Sequence, residues 1–169
     1  MSSAWRQAHI RTPFGVMVAV VDAQGALLRL DFEDDDNRLL LADALDVLPT
    51  DARAASAVSA QLDAYFNGTR QDFDLVLAPR GSAFAQRAWQ RLRRVPFAHT
   101  VSYGEIARQL QPASSARAVG RANAINPISI IIPCHRVVAV GGGLTGYSAG
   151  LRRKAQLLAF EADVFRSRR

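Results

Sequence analysis

Ile131-Ile132-Pro133-Cys134-His135-Arg136 sets the only cysteine of the chain beside a histidine, with an arginine next to that. A thiol is a strong nucleophile as its thiolate, and a nearby base or positive charge favours that form. Three consecutive residues therefore offer a nucleophile, a base and a cation, the parts of thiol-based nucleophilic chemistry. The competing reading makes Cys134 a small buried hydrophobe, the usual fate of a free cysteine. The tetrapeptide alone leaves both readings open.

The elements that must position such a site belong to a globular protein. With 169 residues, 49% of them hydrophobic, the chain is long enough for one domain or two small ones with real cores. No apolar stretch approaches the length of a membrane span. Met1-Ser2-Ser3-Ala4-Trp5-Arg6 lacks the apolar core of a secretory signal. A single cysteine cannot form an internal disulfide, nor build a multi-cysteine zinc site. These features lead to the expectation of a cytoplasmic, nucleoid-associated protein without a metal.

The net charge of +6 conceals a partition. Residues 1–80 carry 7 Arg, no Lys and 12 acids; residues 81–169 carry 13 Arg, 1 Lys and 3 acids (Glu105, Glu161 and Asp163). Such asymmetry suggests two modules, the basic one facing a polyanion. Phosphate backbone is the commonest such partner, and the planar arginine fork bonds two oxygens at once. An arginine-rich composition with ordinary solvated faces would explain Arg over Lys. It would not explain why acids vanish from one half.

Phe14 to Val21 is β-branched and apolar, Asp22-Ala23-Gln24-Gly25 is a turn, and Ala26 to Phe32 alternates, so a β-hairpin is predicted. Leu28, Leu30 and Phe32 share one face, Arg29 and Asp31 the other. Glu33-Asp34-Asp35-Asp36 reads as a solvated acidic loop. Leu39 to Leu48 reads as a short helix, and Thr50-Asp51 caps a second from Ala52 to Phe66. Phe73 to Leu77 reads as a third strand. Ala78-Pro79-Arg80-Gly81 marks a linker. Beyond it, Ser82 caps a helix that ends before Pro96. Ser102 with Glu105 forms a capping box for Tyr103 to Leu110. Ser114 or Ser115 opens Ala116 to Ala124. The last two helices, joined by a short turn at Pro112, read as a helix-turn-helix. Its second helix carries Arg117 and Arg121 four residues apart, among the small Ala118, Gly120 and Ala122. Small residues allow close approach in a groove while arginines reach phosphate or base. Ile128 to Ile132 is an apolar run read as extended, Gly141-Gly142-Gly143 a tight loop, and Leu151 to Val164 a final helix followed by a basic tail.

These motifs, in this order, resemble the O6-alkylguanine-DNA alkyltransferases, the methylated-DNA–protein-cysteine methyltransferase family. Pro133-Cys134-His135-Arg136-Val137 resembles the family's active-site signature. Ser102-Tyr103-Gly104-Glu105-Ile106-Ala107, Ala116-Arg117-Ala118-Val119-Gly120, Asn126-Pro127-Ile128 and Leu144-Thr145-Gly146-Tyr147 are similar to other family motifs, as is the ending from Arg153-Lys154 through Leu157-Leu158 to Glu161. The likeness is strong over 81–163 and holds only in outline over 1–80.

The resemblance implies an α+β protein. Residues 1–80 would be an N-terminal α/β, ribonuclease H-like domain with an antiparallel sheet. Residues 81–169 would be a mostly helical DNA-binding and alkyl-acceptor domain. It implies that Cys134 accepts an alkyl group from guanine O6 in double-stranded DNA, once per molecule and without a cofactor; O4 of thymine stays open as a second target. His135 would take the thiol proton through a water, and Glu161 would orient His135. Tyr103 would donate toward guanine N3, and Asn126 would brace the cysteine loop. Arg117 would be the finger that fills the space of a flipped nucleotide, with Arg121 and Ala118 along the DNA. Val137, Tyr147, Ser148 and Ala149 would shape the base pocket. A monomer is implied, with cooperative assembly on DNA left open.

The chain departs from the family pattern at three places. Ala149 replaces a glycine and would narrow the pocket, while Ala85 and Pro96-Phe97-Ala98 read as packing changes. Three other readings compete. A non-enzymatic lesion binder of the same fold would lack the cysteine. A Cys-His-Glu hydrolase would leave the basic half and the Arg117 helix without purpose. A helix-turn-helix regulator would make Cys134-His135 accidental.

Overall fold

The β-branched run Gly15–Val21 and the alternating Leu27–Phe32 pair as antiparallel strands β2 and β3, with register Met17 to Phe32 and Ala19 to Leu30. Asp22 closes the turn between them, its Oδ1 accepting from the Gln24 and Ala26 N–H groups at 2.9 Å. Gly25 occupies the left-handed region (φ 82°) in that turn. The structure, a computed structural model, describes residues 4–35 and 48–169. The helix expected over Leu39 to Leu48 lies outside the described residues apart from Leu48, as does Asp36 of the acidic loop.

The chain divides into two compact units, Met1–Arg80 and Gly81–Arg169. In the first, a strand that the sequence reading passed over, β1 (Arg6–Thr12), joins the sheet antiparallel to β2. Its polar residues hide it: Ala8 and Ile10 face the core while His9 and Arg11 face out. The expected two-faced pattern of β3 is also modified, because Asp31 is buried and pairs with Arg29 at 2.8 Å. Met17, Leu27, Leu30 and Phe32 are fully buried, each contributing roughly 1.5–3 kcal/mol of apolar transfer. The helix expected over 52–66 begins as a 3-10 turn, Ala52–Ala55, capped by Asp51, and continues as α1 (Ser56–Phe66). It buries Val58, Leu62 and Tyr65, one apolar stripe. The predicted third strand at Phe73–Leu77 is not a strand. Leu77 makes a single parallel bridge to Leu27, and Val76 is exposed. Among the described residues the segment's backbone pairs with other backbone only at Leu27, whose N–H bonds Val76 O and whose carbonyl accepts from Ala78.

The second unit opens with α2 (Ala83–Leu92), capped by Ser82. Gly81 permits the start of this helix to fold onto itself, since any Cβ there would collide with the buried Trp89 ring. A short strand β4 (Val101–Ser102) leads directly into α3 (Tyr103–Gln109). The predicted capping box is present: Ser102 Oγ accepts from Glu105 N–H (3.1 Å) and Glu105 Oε2 accepts from Ser102 N–H (2.8 Å). Helix α4 (Ala116–Ala124) is capped by Ser115. Trp89 Nε1 donates to Ala122 O at 2.9 Å, which ties α2 to α4.

The apolar run Ile128–Ile132 departs from expectation. It is a chain of turns, with Ile132 N–H on Ile128 O and Ile131 N–H on Ser129 O, and with Ile130 in the left-handed region (φ 70°). Burial of every residue from 128 to 132 explains why the run is apolar without being a strand. A 3-10 turn, Cys134–Arg136, then precedes β5 (Val137–Val138). The final helix α5 (Leu151–Ser167) extends beyond the expected end and takes in Arg166 and Ser167 of the basic tail. No helix among the described residues is long and apolar enough to cross a membrane.

Candidate active site

Strands β4 and β5 pair in parallel, Val101 with Val137 and Ser102 with Val138. The first residue of α3 is Tyr103, directly after β4, and the Cys134–Arg136 turn runs straight into β5. Two residues of pairing thus draw Tyr103 alongside the cysteine turn.

Cys134 is 4% exposed, and His135 and Glu161 are fully buried. His135 Nε2 lies 2.8 Å from Glu161 Oε1. Glu161 also receives Arg136 at both oxygens, Nη2 to Oε1 at 2.8 Å and Nε to Oε2 at 3.0 Å, and the Ala98 N–H at 3.1 Å. Burial alone would raise the Glu161 carboxyl, but His135 and the Arg136 fork outweigh it and hold the carboxyl far below the usual carboxylate range. An ionised Glu161 only accepts, so Nε2 carries the imidazole proton and Nδ1 presents a lone pair. Burial pushes the His135 imidazole below its ordinary value, although Glu161 pulls the other way. His135 is therefore held neutral at neutral pH. Its Nδ1 is buried and has no partner among the described residues.

Asn126 reaches the sulfur itself. Its Nδ2 donates to Cys134 Sγ at 3.1 Å and to Ile132 O at 2.9 Å, while its Oδ1 accepts from Ile128 N–H at 3.0 Å. One amide thereby holds the thiol and both ends of the turn before it. Tyr103 Oη donates to Thr145 O at 3.1 Å. Gly120 of α4 faces the Tyr103 ring, and a Cβ added there would meet the ring at 3.9 Å, an ordinary van der Waals contact. Arg117 and Arg121 are exposed on the outer face of α4, and Ala118 is half-buried. Val137 is buried; Tyr147, Ser148 and Ala149 are partly exposed on the segment leading to α5. Among the described residues no group of three or more His, Cys, Asp or Glu is placed to hold a metal ion.

Three residues were missed as site components, and Arg136 was read only as a cation beside the thiol. Arg136 clamps Glu161 and also donates to Val95 O at 2.8 Å. Lys154 is fully buried, and its Nζ donates to Val137 O (2.5 Å) and Thr145 O (2.8 Å). Burial lowers its ammonium below the ordinary value, against the pull of the nearby Cys134 sulfur. A signal for it existed, since Lys154 is the single lysine of a chain that otherwise uses arginine. A compact ammonium suits two carbonyls in a confined space better than a planar fork does. Asn123 was a polar residue on the apolar face of a helix, itself a warning. Ala98, read as a packing change, is corrected: its left-handed backbone (φ 61°) aims its N–H at Glu161.

Comparison with known proteins places this geometry in context. Residues 83–163 match the family model described as 6-O-methylguanine DNA methyltransferase, DNA binding domain. Residues 6–79 match that described as 6-O-methylguanine DNA methyltransferase, ribonuclease-like domain. A methylated-DNA–protein-cysteine methyltransferase of Mycobacterium leprae is 52% identical over 114 residues, 68% of each chain. The counterpart from Mycolicibacterium paratuberculosis is 51% identical over 109 residues, 64% of this chain and 66% of the relative. That of Methanosarcina acetivorans is 39% identical over 156 residues, 92% of this chain and 97% of the relative. The crystal structure of Mycobacterium tuberculosis OGT in complex with DNA superposes with a TM-score of 0.85 at 39% identity, covering 94% of both chains.

Proposed function

The chain belongs to the 6-O-methylguanine DNA methyltransferase family, and from that premise we propose that it repairs DNA by moving an alkyl group from guanine O6 to Cys134. The observation that carries this reading is a buried set of groups at one cysteine: Asn126 on the sulfur, and His135, the next residue in the chain, held by Glu161 with its Nδ1 left unpartnered among the described residues.

His135 Nδ1, which has no direct partner among the described residues, takes the thiol proton through a water, and the resulting imidazolium is stabilised by Glu161 through Nε2. The Cys134 thiolate attacks the alkyl carbon in line with the O6 bond. The S–C bond forms as the C–O6 bond breaks, and the electron pair leaves with the guanine. Tyr103 donates a proton toward guanine N3, which neutralises the departing base. An alkyl thioether is a poor leaving group, so Cys134 is spent after one transfer.

A thiol that is 4% exposed cannot reach a base inside a stacked duplex. The nucleotide must be turned out, at a cost of roughly a few kcal/mol. Arg117 fills the space it leaves, while Arg121 and Ala118 lie along the DNA. Val137, Tyr147, Ser148 and Ala149 hold the base, with the Ala149 methyl narrowing the pocket toward small alkyl groups. Residues 81–169 form the DNA-binding and alkyl-accepting domain, and residues 1–80 the N-terminal domain. The protein meets nucleoid DNA in the cytoplasm as a monomer, without a cofactor.

The test is the intact mass of the protein after incubation with an oligonucleotide containing O6-methylguanine. A gain of one methyl on Cys134, stoichiometric and absent in Cys134→Ser, is expected. Multiple turnover, or an unchanged mass with damaged DNA consumed, would overturn the reading. On the same footing, Arg117→Ala slows repair of duplex DNA more than reaction with free O6-alkylguanine, and equal losses count against the finger role.

A further inference from the structure

Asn123 sits on the inner face of α4, between the exposed arginines and the cysteine turn, and is 7% exposed. Asparagine is a poor helix former because its amide competes for backbone groups. Here its Nδ2 donates to the carbonyl of Cys134 at 3.3 Å, a long bond. Its Oδ1 is buried with no partner among the described residues. Turning the amide over would set two acceptors face to face, so chemistry dictates the orientation. A leucine of similar size would avoid both the propensity cost and the orphaned acceptor, so the one side-chain hydrogen bond that Asn123 makes among the described residues needs a reason beyond packing.

We propose that Asn123 is a positioning residue that locks the register between the DNA-binding helix and the acceptor cysteine. The inference rests on the alkyl-transfer reading above. The neighbouring turn of α4 is already held from the other side by Trp89 on Ala122 O. Asn126, three residues on, grips the sulfur and Ile132. Asn123 supplies the remaining link, from the helix to the backbone of Cys134. A base still attached to DNA is delivered by α4, so its alkyl carbon meets Sγ in line only if helix and cysteine keep one register. A free base is held by the cysteine segment and its pocket alone, and does not sense that register.

The test compares single-turnover rates of Asn123→Leu, with Asn123→Ala as the second variant in case the first fails to fold. Substrates are a saturating duplex containing O6-methylguanine, the same duplex with the lesion opposite an abasic site, and free O6-benzylguanine. The proposal expects a loss of roughly five- to tenfold on both duplexes, the size of one hydrogen bond, and a clearly smaller loss on the free base. DNA affinity and the pH midpoint of thiol alkylation stay at the wild-type values, since the amide touches a carbonyl and not the sulfur. Equal losses on all three substrates would mean a general structural role and overturn it. So would a loss that vanishes opposite the abasic site, which would assign Asn123 to flipping. Wild-type protein that fails to accept the methyl group would instead sink the parent reading.

Discussion

In the Met1–Arg80 unit the buried carboxylate of Asp31 is held by Arg29, two residues back on the same strand. In the Gly81–Arg169 unit the buried Glu161 is held by Arg136 and His135, 25 and 26 residues away on a separate element. Arg29 stays partly exposed, whereas Arg136 is buried with its carboxylate. The first pair is a strand decorating itself. The second exists only after the cysteine turn and α5 have packed, and it fixes the imidazole of the residue that follows the cysteine. A buried charge held over long range marks where a fold has accepted desolvation for chemistry, and a locally held one does not.

Removing each carboxylate tests that contrast most severely. Glu161→Ala strands the Arg136 cation in the interior, which costs about 3–5 kcal/mol. Asp31→Ala releases an arginine that can turn to water, at a cost of about 1–2 kcal/mol. Urea unfolding of the two variants measures both, and equal costs would erase the distinction.

Acid provides the second break. The folded His135 titrates below its ordinary 6.5, so under mild acid the unfolded chain binds a proton that the folded chain refuses. Its contribution is complete above about 6.5 and is lost as pH falls below that value. Glu161, also depressed, adds a second loss in the same direction as pH falls below its ordinary 4.5. Stability measured from pH 8 to 4 should decline from the histidine range downward, and His135→Gln should remove the first stage. A profile in His135→Gln identical to wild type would contradict the cluster's role. The transfer rate should fall with the same sign, because protonated His135 cannot act as a base.

A smaller gain is expected at Ala98. Its left-handed backbone costs an L-residue about 1 kcal/mol, and glycine removes that cost while keeping the N–H on Glu161. Ala98→Gly should raise stability by about 1 kcal/mol without loss of alkyl transfer; destabilisation would show that the methyl is needed for packing. Smallest of all is Arg121→Ala. An exposed helix residue should change stability by less than about 0.5 kcal/mol, yet lower the salt dependence of DNA binding by about one counterion. An unchanged salt slope would remove Arg121 from the DNA face.

Local chemistry was readable from the residues. The β2–β3 hairpin, the Ser102–Glu105 capping box, the Ser82 cap and the helices they start all follow from short-range rules, while the choice of Ser115 over Ser114 as the next cap came from the structure. Readings failed where context ruled. Arg6–Thr12 forms a strand because a neighbour supplies its hydrogen bonds, which its own polar sequence does not announce. Phe73–Leu77 has strand composition, but among the described residues its backbone pairs with other backbone only at Leu27. Ile128–Ile132 is apolar because it is buried, and burial does not choose between strand and turn.

By itself the sequence determined the chemical parts, namely one thiol, its histidine neighbour, an arginine-bearing helix and an acid-poor half, since residue identity and nearest-neighbour spacing are written directly in the chain. Tertiary structure alone decided which nitrogen of His135 faces Glu161, that Arg136 and Ala98 share Glu161, and that Asn123 and Asn126 both bond the cysteine. Those facts depend on directions in space between groups distant along the chain. They also depend on desolvation, a property of the packed interior that no single residue carries.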